Sequence, residues 1–137
     1  LRTFLDANIL FSAARADGAM RQMLTLLEAA GHQLVADTYA WEEARRNLAA
    51  KATDGLPVLD AMASRIQIGT LSVAASRLPE LAVLPEKDRP VLAAAIYHRC
   101  AILATGDRSH FGTLYGGTVS GVTILSPAML AERVLGF

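Results

Sequence analysis

At 137 residues, 53 % of them hydrophobic, and with a mean hydropathy of +0.32, the chain is long enough to bury a core and too apolar to be disordered. Thirteen basic and thirteen acidic residues cancel, which excludes nucleic-acid binding through bulk positive charge and leaves only local contacts for a phosphate. Cys100 has no second cysteine to pair with, no run of about eighteen apolar residues is present, and "LRTFLDANILFSAA" lacks the basic head and cleavage site of a signal peptide, so the expectation is a soluble, cytoplasmic chain with no membrane partner.

In chain order, apolar runs of strand length alternate with helical periodicity. "RTFLD" (Arg2–Asp6) predicts a strand; Met20, Met23, Leu24 and Leu27 then repeat at helical spacing, and Gly31 stands where that helix would stop. "QLVAD" (Gln33–Asp37) predicts the second strand, followed by a helix carrying Glu42, Glu43, Arg45 and Arg46, and "RIQIG" (Arg65–Gly69) predicts the third. The stretch from Pro79 to Pro90 reads as a surface connection with a brief helical turn, and Pro90 marks the first turn of a helix continued by Ala94, Ile96 and Tyr97. "AILAT" (Ala101–Thr105) and "GVTIL" (Gly121–Leu125) predict the remaining strands, and "YGGTVSGV" (Tyr115–Val122) reads as a glycine loop. Such alternation implies an α/β chain: a three-layer α/β/α sandwich with a central parallel sheet of about five strands, residues 1–137 forming one domain.

In a parallel sheet the residues just beyond the strands, and the first turns of the following helices, gather along one edge. Asp6 and Asp107 follow the first and fourth strands, Glu43 sits early in the helix after the second, and Asp88 precedes the helix that leads into the fourth. Carboxylates gathered there repel one another unless protons or cations neutralise them. Hard oxygen donors without nearby thiols suit Mg²⁺ or Mn²⁺ better than zinc, and such ions polarise phosphodiesters and activate water, so the acid set points to nuclease chemistry. Each acid also has a purely structural reading. Asp6 and Asp88 suit helix N-caps, Glu42 or Glu43 can pair with Arg45 and Arg46 on a helix surface, Asp107 fits a polar turn, and Glu42 is the alternative ligand to Glu43.

The stretches "FLDANILFSAA", "DTYAWEEARRNL", "PEKDRPVLAAAIYHRCAILATGDRSHFG" and "GVTILSPAMLAERV" resemble a PIN-domain ribonuclease, particularly the VapC-like toxins of bacterial toxin–antitoxin pairs. The resemblance implies a divalent-metal-dependent endoribonuclease. Asp6, Asp88 and Asp107 would be the core ligands of Mg²⁺ or Mn²⁺, Glu43 a ligand or the partner of a metal-bound water, and Thr105 the small hydroxyl residue that supports the site. It further implies RNA as substrate, a homodimer, and an antitoxin protein covering the cleft.

Asn8 is a candidate for orienting the ligands, or else satisfies a local turn; Ser12, one turn on, either faces the cleft or is solvated. Arg108, Arg89 and Arg46 are candidates for holding RNA, with Arg45, Lys51 and Lys87 as further members of a basic rim; solvated surface charge is the alternative for each. His110 reads as a brace for its loop, while Tyr39 and Trp41 either stack on a base or pack on the sheet. A non-catalytic or regulatory PIN domain acting through protein association is the rival within the fold. A phosphoryl-receiver domain would need paired acids after the first strand, which "TFLDAN" does not supply, and a haloacid-dehalogenase-type phosphatase would need an aspartate where Asn8 stands.

Overall fold

Side-chain alternation in the first apolar run sends Phe4 to one core cluster and Leu5 to the other. The computed structural model, which describes residues 1–70, Leu81, Leu84 and 89–137, shows why both directions are buried: strand β1 (Arg2–Leu5) lies mid-sheet. Strands β2 (Gln33–Asp37) and β4 (Ile102–Ala104) flank β1 in parallel, with Phe4 opposite Val35 on one side and Leu103 on the other. Strand β3 (Gln67–Gly69) extends the sheet beyond β2, and β6 (Val122–Leu125) extends it beyond β4, both parallel.

The expected α/β/α sandwich is present, with two differences in its sheet. A sixth strand, β5 (Thr118–Val119), pairs antiparallel with β6, giving the order β3-β2-β1-β4-β6-β5. The reading of Tyr115–Val122 as a loop therefore needs correcting: Ser120 and Gly121 both take positive φ, 48° and 84°, which closes a two-residue hairpin and reverses the chain. A strand of two residues leaves too short an alternation to be seen in sequence.

Helices α1 (Ala7–Arg15), α2 (Ala19–Ala29), α3 (Thr38–Lys51), α4 (Leu56–Met62) and α7 (Pro127–Arg133) contribute to the core on one face. Helix α5 (Arg89–Tyr97) and the short α6 (Arg108–Phe111) cover the other. The stop at Gly31 is as expected: its φ is +89°, its N–H donates to the Glu28 carbonyl and the His32 N–H donates to that of Leu27. Most of the stretch from Pro79 to Pro90, including Lys87 and Asp88, lies outside the described residues. Among the described residues no helix is long and apolar enough to cross a membrane.

Helix α5 ends by the same hydrogen-bond pattern as α2 but without glycine. The Cys100 N–H donates to Ala95 and the Arg99 N–H to Ile96, while exposed Arg99 holds a φ of +56°. A side chain there crowds the backbone. Arg99→Gly is expected to stabilise the fold by roughly 0.5–1 kcal/mol, the relief of strain outweighing the extra freedom of the unfolded chain, and to raise the melting temperature by a few degrees.

The strand order also positions a site. The chain builds β1, β2 and β3 outward in one direction, then returns to place β4 on the other side of β1. At this reversal the connections leave in opposite directions and open a crevice beyond the carboxyl ends of β1 and β4.

Candidate metal and phosphate site

Asp6 is the first residue past β1, and its N–H donates to the Ala104 carbonyl at 3.0 Å, tying it to the end of β4. Its Oδ1 accepts the Ala7 N–H at 2.7 Å, which caps α1, while Oδ2 accepts the Thr105 hydroxyl at 2.7 Å and the Asn8 amide at 3.4 Å. Capping and cleft-facing roles thus coexist in one carboxylate. Burial pushes the Asp6 pKa up to about 6; the hydrogen bonds from Thr105 and Ala7 work against that rise, and the charges of Glu43 and Asp107 add to it.

The neighbours of Asp6 hold the strand ends together. Asn8 Oδ1 accepts the Gly106 N–H at 2.9 Å, so the residues after β1 and β4 are clasped across the reversal point. Thr105 is fully buried; besides donating to Asp6 it accepts the Asp107 N–H at 3.2 Å, and its carbonyl accepts the Tyr115 hydroxyl at 2.9 Å. Asp107 caps α6 through Oδ1, which accepts the His110 N–H and the Ser109 hydroxyl, and its Oδ2 meets His110 Nδ1 at 2.7 Å. Partial burial would raise the Asp107 pKa, but the hydrogen bonds of Ser109 and His110, with the charge His110 can carry, bring it below the ordinary value.

Helix α3 forms the facing wall. A cleft of about 410 Å³ is lined by Asp6, Asn8, Glu43 and Asp107, together with Tyr39, Asn47 and Lys51 from α3. Glu43 is half-buried in this lining, whereas Glu42 is exposed and outside it. Three of the four expected acids therefore share one cleft, and Asp88 lies outside the described residues.

The other expected residues separate. Ser12, Arg46 and Arg108 are exposed and do not line the cleft. Half-buried Arg89 donates through Nε to the Leu84 carbonyl at 3.1 Å, and Arg45 pairs with Asp60 at 2.9 Å. Trp41 is buried in the core, while Tyr39 is 40 % exposed at the cleft. His110 lines the cleft as well as bracing Asp107.

Sequence reasoning passed over Asn47 as a cleft residue, although its four-residue spacing from Glu43, repeated at Lys51, is the signal of a shared helix face. It also passed over Asp37, an acid ending β2. Asp37 is buried away from the cleft lining: Oδ1 caps α3 by accepting the Ala40 N–H at 2.8 Å, Oδ2 has no hydrogen-bond partner among the described residues, and burial raises its pKa.

The donor chemistry suits a hard divalent cation. Carboxylate and amide oxygens dominate the polar lining, and a buried Asp6 facing two further acids is short of positive charge. Among the described residues no three side chains of His, Cys, Asp and Glu stand close enough to hold an ion by themselves.

The sequence pattern of the PIN domain family matches residues 2–109. Among solved structures, the chain is similar to VapBC2 from Rickettsia felis, described as bound to a DNA fragment from its promoter. That likeness has a TM-score of 0.66 at 17 % identity and covers 92 % of this chain and 98 % of the other. It is also similar to VapC20 of Mycobacterium tuberculosis, described as a toxin cleaving the Sarcin-Ricin loop. Here the TM-score is 0.56 at 11 % identity, covering 78 % of this chain and 92 % of that one. No curated protein matches this chain in sequence.

Proposed function

Since this chain belongs to the PIN domain family, we propose that it is a divalent-metal-dependent endoribonuclease, the toxin of a toxin–antitoxin pair, acting in the cytoplasm as a homodimer. One observation carries the reading: buried Asp6 shares a cleft with Glu43 and Asp107 at the point where strand order reverses. RNA as substrate and an antitoxin as partner are supported by the fold shared with VapC20 and VapBC2.

In this reading Asp6, Asp107, Glu43 and Asp88 hold Mg²⁺ or Mn²⁺. The ion supplies charge to polarise a phosphodiester and to activate water. Thr105 fixes the rotation of the Asp6 carboxylate through Oδ2, and Asn8 keeps the two strand ends in register, so the acids meet the substrate preorganised. His110 and Ser109 hold Asp107 in the same way.

Purified protein is expected to cut a mixed RNA pool in Mn²⁺ and not in EDTA, with Glu43→Gln and Asp88→Asn both losing activity. No cutting in Mn²⁺, or cutting unchanged in every acid variant, would overturn the reading. Thr105→Val, which keeps the shape but removes the hydroxyl, is expected to lower the cleavage rate by about 10–100-fold while the protein stays folded; equal rates would show that Asp6 needs no orientation from Thr105.

A further inference from the structure

A neutral protein with an acid-lined cleft has an electrostatic difficulty with RNA, because the groups that suit a metal repel the remaining phosphates of the strand. The cleft lining answers this at one end. Lys51 is the lone lysine or arginine among the described lining residues, and none of the described ion pairs involves it. It follows Glu43 and Asn47 at intervals of four along α3. That spacing puts Lys51 about 12 Å from Glu43 along the helix axis, with side chains leaning back toward the helix N-terminus. The wall thus runs from an acid, through a neutral amide, to an ammonium group.

Building on the ribonuclease reading above, we propose that Asn47 and Lys51 seat an RNA phosphate adjacent to the scissile one, so that the enzyme takes its substrate as a single strand laid along α3. A cleft of about 410 Å³ is large enough for a single strand to enter it phosphate by phosphate. Lys51 supplies the charge and Asn47 an amide donor between it and the acids. A lysine in the last turn also suits the helix dipole, which accounts for its sign but not for its place on the cleft wall.

The test measures binding of a fluorescent single-stranded oligoribonucleotide of mixed sequence to the Asp6→Asn protein, across a salt series, together with KM and kcat in the catalytically intact background. Lys51→Ala is expected to weaken binding about 5–10-fold and to make the slope of log K against log salt shallower by about 0.7, the signature of one lost single-strand phosphate contact. KM should rise by more than kcat falls, Lys51→Arg should restore most of the affinity, and Asn47→Ala should weaken binding in the same direction. An unchanged affinity and salt slope in Lys51→Ala, with RNA still bound and cut by the parent proteins, would overturn this inference and leave the nuclease reading standing. Equal losses in Lys51→Ala and Arg46→Ala would also overturn it, because the effect would then be general surface charge. If the parent proteins neither cut nor bind RNA, the nuclease reading fails and this inference with it.

Discussion

Asp6→Asn is expected to reduce RNA cleavage by about 10³-fold or more and, in the absence of metal near pH 7, to make the protein harder to unfold. Loss of activity follows from removing the most buried acid of the cleft, since metal-assisted charge stabilisation is worth several kcal/mol and each 1.36 kcal/mol is tenfold in rate. The gain in stability follows from the same burial. The Asp6 carboxyl rises from 3.8 to about 6 on folding, so keeping it ionised at neutral pH opposes the folded state by on the order of 3 kcal/mol. A neutral amide of nearly the same shape relieves that opposition and can still accept the Ala7 N–H. Denaturant unfolding of both proteins in EDTA checks this: a variant less stable than the parent at pH 7 would sink the electrostatic account. At pH 4 the difference should shrink, because the native carboxyl is then protonated in the folded state.

The metal-free parent is expected to lose stability as pH rises from about 4 to about 6, then to level off. A carboxyl with a raised folded pKa binds more protons folded than unfolded within that window, so the slope of unfolding free energy against pH is negative there. Asp37, whose pKa burial also raises, contributes in the same direction. Asp107 acts with the opposite sign. Its folded pKa is lowered, so the stability it contributes is complete above its ordinary value of 3.8 and lost as pH falls through the folded one. Divalent metal should reverse the decline by binding folded protein alone, by about 2.7 kcal/mol at one hundred times its dissociation constant. Melting curves over a pH series, with EDTA and with Mn²⁺, read both effects. A flat profile between pH 4 and 6 in EDTA, or no Mn²⁺ shift at pH 7 in the parent, would count against the acid cleft; Asp6→Asn should reduce the Mn²⁺ shift.

Much of this arrangement was legible in the sequence because strand-end logic is strong. Apolar runs located β1, β2, β3, β4 and β6, and acids after parallel strands had one edge to occupy, which is how Asp6 and Asp107 come to share a cleft. The same logic does not separate a cleft acid from a cap. Asp37 ends a strand just as Asp6 ends one, yet it lies one strand away from the reversal point and turns inward to α3. Helix periodicity could have chosen Glu43 over Glu42, found Asn47, and set Lys51 apart from the other rim candidates, but only once α3 was known to be the wall facing Asp6. The arginines were least legible: charge near a motif in sequence says little about direction, and Arg46 and Arg108 are both exposed outside the cleft lining.

The clasp between the ends of β1 and β4 has a consequence for when the protein becomes competent during its synthesis. Asp6 leaves the ribosome almost one hundred positions ahead of Thr105 and Gly106, on which its oriented geometry depends, and Thr105 in turn is tied through its N–H to Leu125 of β6. Loop-closure entropy makes contacts of such separation late ones, formed only after the intervening residues are present. A nascent chain therefore carries Asp6 unassembled until those partners have emerged, and a ribosome stalled before Thr105 releases a fragment with no site.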